Sequence, residues 1–211
     1  MLPDFLSMLG ARPPRLDPGT LKAGVLFHHQ TDAHFHECTQ FRRWQRESLE
    51  HLTLLGVRRG PARAIAHAGV ELLVDLALAR SLDAHDDRPH AERLWQRYDS
   101  ALLRGRRPLS AASFSQAGAA ERLRELCARL LDMGRQRFRA EPQRTVEVLE
   151  RALSGRPRLE MSRTEVQAAK QWAKQVFSSV KAGLPDLLSE LEKSLDTHAA
   201  LTGPVLEPSA S

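Results

Sequence analysis

Residues 62–81, "ARAIAHAGVELLVDLALARS", are the most apolar segment of the chain, and how they are read decides the fold. Twenty residues is too long for a typical strand, and the segment has the length and Ala/Leu richness of a buried helix. In its central part, residues 64–79, the only polar side chains are His67, Glu71 and Asp75, at every fourth position. Residues four apart share one helical face, drifting by about 40° per step. A carboxylate buried without a partner costs several kcal/mol, so a buried stripe of this kind needs a cation or hydrogen-bond donors. It could instead be the wet face of an amphipathic helix. The wide apolar arc around it favours the buried reading.

A second stripe of the same chemistry precedes it. Residues 24–37, "GVLFHHQTDAHFHE", hold four of the nine histidines and place His28, Asp32 and His36 four apart. Read alone, this is either a metal half-site or exposed i, i+4 pairing worth a few tenths of a kcal/mol. Two such stripes on separate helices can build one metal site in a bundle core. His29 and His34 fall on other faces. Asp4, near the N-terminus, is either a helix cap or a third contributor.

Outward from these stripes the chain reads as helix throughout, with no alternating β-branched window. "GARPPRLDPGT" is a turn, and a helix runs from about Thr20 through the His cluster. "TQFRRWQRESLEHLTLL" carries a stripe of Phe41, Trp44, Leu49, Leu52 and Leu55, and "GVRRGP" ends it. Pro61 suits the first position of the next helix. Further helices are expected at "AERLWQRYDSALL", "AAERLRELCARLLDMG" and "EPQRTVEVLERALSG". Two closing helices, "SRTEVQAAKQWAKQVFSSVKAG" and "PDLLSELEKSL", are expected to be separated by Gly183 and Pro185. The fold class is all-α, a single-domain helical bundle over residues 1–200, with 201–211 a disordered tail.

The 211 residues carry 31 Lys+Arg against 26 Asp+Glu, a net +5, with aromatics at only 5%. Scarce aromatics and no dense basic patch argue against nucleic acid. No apolar run approaches the roughly 18 residues that suggest a membrane span. "MLPDFLSMLGARPP" has no basic start and no apolar core, so it does not read as a signal peptide. Two cysteines, Cys38 and Cys127, form no disulfide framework, which points to a cytoplasmic protein with buried thiols. "RRGPAR" places Arg63 one turn before His67, within reach of a phosphate there, or simply in solvent.

On these segments the chain resembles the acyl-carrier-protein phosphodiesterase family, whose fold is related to HD-type metal-dependent phosphohydrolases. "LPDFLSML" is similar to the family's D-F motif, with Asp4 on its aspartate. "AGVLFHHQTDAHFH" is similar to the second motif, with His28 and Asp32 on its histidine and first aspartate and His36 in place of the second aspartate. "HAGVELL" overlays the third motif, D-x-x-x-D-H. It puts His67 and Glu71 on the two aspartates and Leu72 where the histidine would stand. "VLERALSGRPRLEMSRTEVQ" and "GLPDLLSEL" resemble the family's later turn and final helix, so the likeness covers nearly the whole chain in order. The segment carrying the family's first histidine is absent, as in a chain with a truncated N-terminus.

The resemblance implies an HD-like metallohydrolase that cleaves the phosphodiester joining 4′-phosphopantetheine to a serine of acyl carrier protein. It implies Asp4, His28, Asp32, His67 and Glu71 as ligands of a divalent ion. Asp32 and His36 would be catalytic, with Asp75 as an alternative proton shuttle, and Arg59 and Arg63 would hold substrate. The more imidazole-rich set leans toward zinc, iron or manganese over magnesium. Acyl carrier protein or another phosphoester would be the partner. A related metallohydrolase with another phosphoester substrate and a non-catalytic helical binding protein are the alternatives.

Overall fold

The helical periodicity is realised as α1 (Thr20–Glu37), α2 (Thr39–Leu54), α3 (Arg59–Ala64), α4 (Val70–Ala84), α5 (Ala119–Met133), α6 (Gln143–Leu153) and α7 (Arg163–Thr202). A single π-helical turn, Ile65–Gly69, joins α3 to α4. These elements belong to a computed structural model that describes residues 20–84, 118–133 and 141–202, with 92–93, 95–97, 99–100 and 103. Among the described residues there is no strand, and the fold class is all-α. Asp4, most of the expected helix around residues 91–103 and the end of the tail, 203–211, lie outside the described residues.

Helix α7 is the spine. Its 40 residues span about 60 Å at 1.5 Å per residue, and α1, α2, α4 and α6 all pack against it. The core is built from Phe41, Trp44 and Leu52 of α2, Val70 and Leu73 of α4, Val146 of α6, and Trp172, Val180 and Leu187 of α7. The expected break at Gly183 and Pro185 does not occur, because the helix runs through both. An interior proline loses one backbone hydrogen bond and costs about 3 kcal/mol. Val180, Leu184 and Leu187 straddle it on one buried face, and Gly183 lies against Gln40 and Trp44. Burying those side chains, at roughly 1.5–3 kcal/mol each, outweighs the proline. Pro185 itself faces water.

The helix ends are fixed by specific groups. At the end of α2 the Gly56 N–H donates to the Thr53 carbonyl and the Val57 N–H to the Leu52 carbonyl, both at 3.0 Å. That is a Schellman motif, and it needs Gly56 at φ +80°. Pro61 is the third residue of α3 rather than its first, since the helix begins at Arg59. At the start of α2 the buried Cys38 gives no side-chain cap. The Glu190 carboxylate of α7 does so instead, accepting from the Thr39 N–H at 2.7 Å and the Gln40 N–H at 3.4 Å. These hydrogen bonds hold Glu190 below the usual carboxylate range. Burial, with Glu190 and Glu37 nearby, pushes the Cys38 thiol up.

The start of α7 is a capping box. Ser162 N–H donates to Glu165 Oε2 at 2.8 Å, and Glu165 N–H donates back to Ser162 Oγ at 3.3 Å. Arg58, in the loop before α3, grips the same buried carboxylate. Its Nε and backbone N–H reach Oε1 and its guanidinium Nη2 reaches Oε2, all at 2.9 Å. One carboxylate therefore caps α7 and ties down the entry to α3.

Candidate metal centre

The two stripes meet where α1 ends and α4 begins. Glu71 lies between two imidazoles: His67 Nε2 is 3.2 Å and His36 Nε2 3.5 Å from Glu71 Oε1. His36 Nε2 is also 3.3 Å from Asp32 Oδ1 on its own helix. The two rings stack with centroids 4.8 Å apart and planes at 21°. One ligand atom from each of His36, His67 and Glu71 falls within 4.8 Å of the others, so the three could hold one metal ion. Donors at about 2.0–2.2 Å from a tetrahedral ion are about 3.3–3.6 Å apart along each edge. The Glu71 oxygen, at 3.2 and 3.5 Å from the two imidazole nitrogens, lies close to that range from both.

Local structure explains the convergence. His67 sits inside the π-helical turn, a widened turn that recurs at functional sites. Trp172 of α7 presses on this turn, and a Cβ on Gly69 would lie 2.8 Å from the indole Cη2. Glycine is what allows α7 to approach so closely there. His36 occupies the last turn of α1, and the chain then breaks at the buried Cys38, whose thiol donates to the His34 carbonyl at 3.3 Å. Phe35 and Phe41 meet the His36 ring edge-on, at 5.4 and 5.0 Å between centroids. Its Nδ1 is buried with no hydrogen-bond partner among the described residues, so aromatic packing fixes this ring.

His67 is oriented differently. Gln45 Nε2 of α2 lies 2.8 Å from His67 Nδ1. The amide oxygen and nitrogen are interchangeable by a flip, and with the oxygen turned inward Gln45 accepts the Nδ1 proton. With the amide nitrogen inward, as it stands, Gln45 donates to Nδ1 and the ring proton lies on Nε2 toward Glu71; an ion at Nε2 would take that proton's place and require the flipped amide. Burial, then the neighbouring His36, hold the His67 imidazole below its ordinary pKa, against the opposing pull of Asp32. A neutral ring is the ligand form. Replacing Gln45 with leucine is expected to weaken divalent-metal affinity about 10- to 100-fold while the ligands remain, as loss of an orienting partner does. Isothermal titration with Zn2+ measures it, and unchanged affinity would remove Gln45 from the site.

The stripe on α4 is not buried in the core. His67 is 48% exposed and Glu71 36% exposed at their side chains, and Asp75 faces solvent. α7 and α2 cover the apolar arc, which leaves the polar stripe at the rim, where His36 from the end of α1 meets it. The wide apolar arc signalled a buried helix but not which strip of it stayed wet.

Of the residues singled out in the sequence, the fold gathers His67, Glu71, His36 and Asp32. His28 lies two turns before His36, about 12 Å along the helix, beside the His29 ring and outside the group. His34 points to α7, with its Nδ1 2.7 Å from Ser194 Oγ. Arg59 is exposed in the first turn of α3. Arg63 is exposed as well, and with Gln45, Arg46, Leu49 and Ala66 it lines a groove beside His67. Gln45, Phe41 and Arg46 were not singled out as site residues in the sequence. A glutamine or arginine on an amphipathic helix has no signature until a partner helix lies against it. No protein-family model, no curated protein and no solved structure matches this chain.

Proposed function

We propose that the protein is a divalent-metal-dependent phosphoric diester hydrolase with its ion held by His36, His67 and Glu71. The observation that carries this reading is the convergence of two imidazoles and a carboxylate with ligand atoms within 4.8 Å of one another. A divalent ion in such a site polarises a phosphoryl oxygen and lowers the pKa of bound water toward neutrality. The chain's own groups do the rest. Asp32, half-exposed and paired with His36, would accept a proton from an attacking water in this reading. Gln45 fixes the His67 ring, and Phe35 and Phe41 fix that of His36.

The substrate in this reading is the phosphopantetheine–serine ester of acyl carrier protein, which the order of the D-F, H-x-x-x-D and H-x-x-x-E segments supports through their likeness to that family. An HD-like bundle in a reducing, cytoplasmic setting suits the all-α fold and the two buried free thiols. Metal-loaded protein is expected to release 4′-phosphopantetheine from holo-acyl carrier protein, with release stopped by a chelator and restored by the ion. Turnover of bis-p-nitrophenyl phosphate without that release would move the substrate to another phosphodiester. Metal-independent behaviour with both compounds would sink the hydrolase reading. A metal-free clasp between α1 and α4 is the second reading, favoured by the His–carboxylate pairs already formed around Glu71.

A further inference from the structure

The groove beside the metal centre has a composition the ligand cluster does not explain. Arg46 and Gln45 from α2 and Arg63 from α3 line it with Leu49, which contributes apolar surface, and the buried Ala66, and Gln45 also touches His67. Gln45 therefore belongs to both places and joins the groove to the cluster.

Some cations of the fold are committed to carboxylates and others, Arg59 and Arg163 among them, are not; what sets Arg46 and Arg63 apart is that both line this groove. Arg58 is committed to Glu165, Arg144 and Lys170 to Glu147, Arg43 to Glu47 and Arg124 to Glu121. Among the described residues neither Arg46 nor Arg63 pairs with a carboxylate. Two uncommitted guanidinium groups lining one groove repel each other, and an anion between them removes that repulsion while accepting forked hydrogen bonds. Phosphate geometry matches that fork. The apolar surface of Leu49 adds a second requirement, since methylene groups leaving water there gain free energy that a bare anion cannot.

We infer that this groove is a subsite for a phosphoryl group carrying an apolar arm, gripped by Arg46 and Arg63 with the arm along Leu49. The inference rests on the metal-hydrolase reading for its place in a reaction, but anion binding itself does not need the ion. It narrows the substrate to an amphipathic phosphoester and makes the arginine pair the grip that sets the reacting phosphorus beside His67.

The test uses the full chain, with inorganic phosphate and n-octyl phosphate as probes in isothermal titration and bound metal measured in parallel. Octyl phosphate is expected to bind at least tenfold more tightly than inorganic phosphate. Arg46→Gln and Arg63→Gln are each expected to weaken it about tenfold and together about a hundredfold, the scale of losing charged hydrogen bonds. Both side chains are exposed, so the variants should keep the wild-type thermal midpoint and metal content. Equal affinity for the two probes, or a double variant that binds octyl phosphate like the wild type, would overturn the inference. Metal bound in full with no phosphate binding would remove the groove and leave the metal centre. Phosphate binding that depends on the arginines, with no bound metal, would keep the groove and remove the hydrolase reading.

Discussion

Replacing His67 and Glu71 together with alanine is expected to lower affinity for Zn2+ or Mn2+ by about ten-thousandfold, and Glu71→Ala alone by about a hundredfold. Structural zinc sites with four ligands bind with about 10–16 kcal/mol, roughly 3 kcal/mol per ligand, and each 1.4 kcal/mol is a factor of ten. Folding should hardly register the loss, because both side chains lie at the rim and exposed substitutions stay within about 0.5 kcal/mol. Metal at a hundred times its dissociation constant adds about 2.7 kcal/mol to the stability of a protein that binds it only when folded. For a chain of this size that raises the thermal midpoint by about 5–10 °C. The wild type should show the rise and the double variant should not. A full metal-induced rise in the double variant would place the ion elsewhere in the chain.

Replacing Glu165 with glutamine is expected to cost up to about 3 kcal/mol at pH 6, as much as about a factor of a hundred in the folding equilibrium. Arg58, then the capping hydrogen bonds of Ser162 and the Arg58 backbone, hold the Glu165 carboxyl down at about 2 against a model-peptide value of 4.5. The carboxylate is 6% exposed but the Arg58 side chain is 58% exposed, so water screens part of the interaction. A carboxyl depressed by 2.5 pH units therefore contributes at most about 3 kcal/mol, at 1.36 kcal/mol per unit. Because the folded value lies below the unfolded one, this stability is present above pH 4.5 and fades as pH falls toward 2. Denaturant titrations of the two proteins at pH 6 and pH 2.5 measure it. The gap between them should be wide at pH 6 and narrow sharply at pH 2.5. A gap that is the same at both would mean that the ionised carboxylate is not what ties α3 to α7.

The fold was legible wherever local chemistry decides it. The 3.6-residue stripes of α2 and α6, the Gly56 stop and the start of α1 near Thr20 follow from sequence periodicity and turn residues. Pro185 was misleading because its penalty is local while the burial that overrides it comes from α2, more than 130 residues away. The Glu190 cap on α2 and the Arg58–Glu165 grip are equally long-range, and no spacing rule reveals them. At the site, both every-fourth-residue stripes were visible. Which members meet depends on where the end of α1 lies against the turn that carries His67, which brings in His36 from the end of its stripe and leaves His28 two turns away. The π-helical turn that carries His67 has no sequence signal beyond Gly69, whose significance comes from Trp172.

The most direct measurement is an anomalous difference map from crystals of the wild-type chain grown with one equivalent of Zn2+. A single strong peak is expected between α1 and α4, about 2.0–2.2 Å from His36 Nε2, His67 Nε2 and a Glu71 carboxylate oxygen. No peak there, or full-occupancy zinc on other residues, would contradict a metal centre built from these two helices.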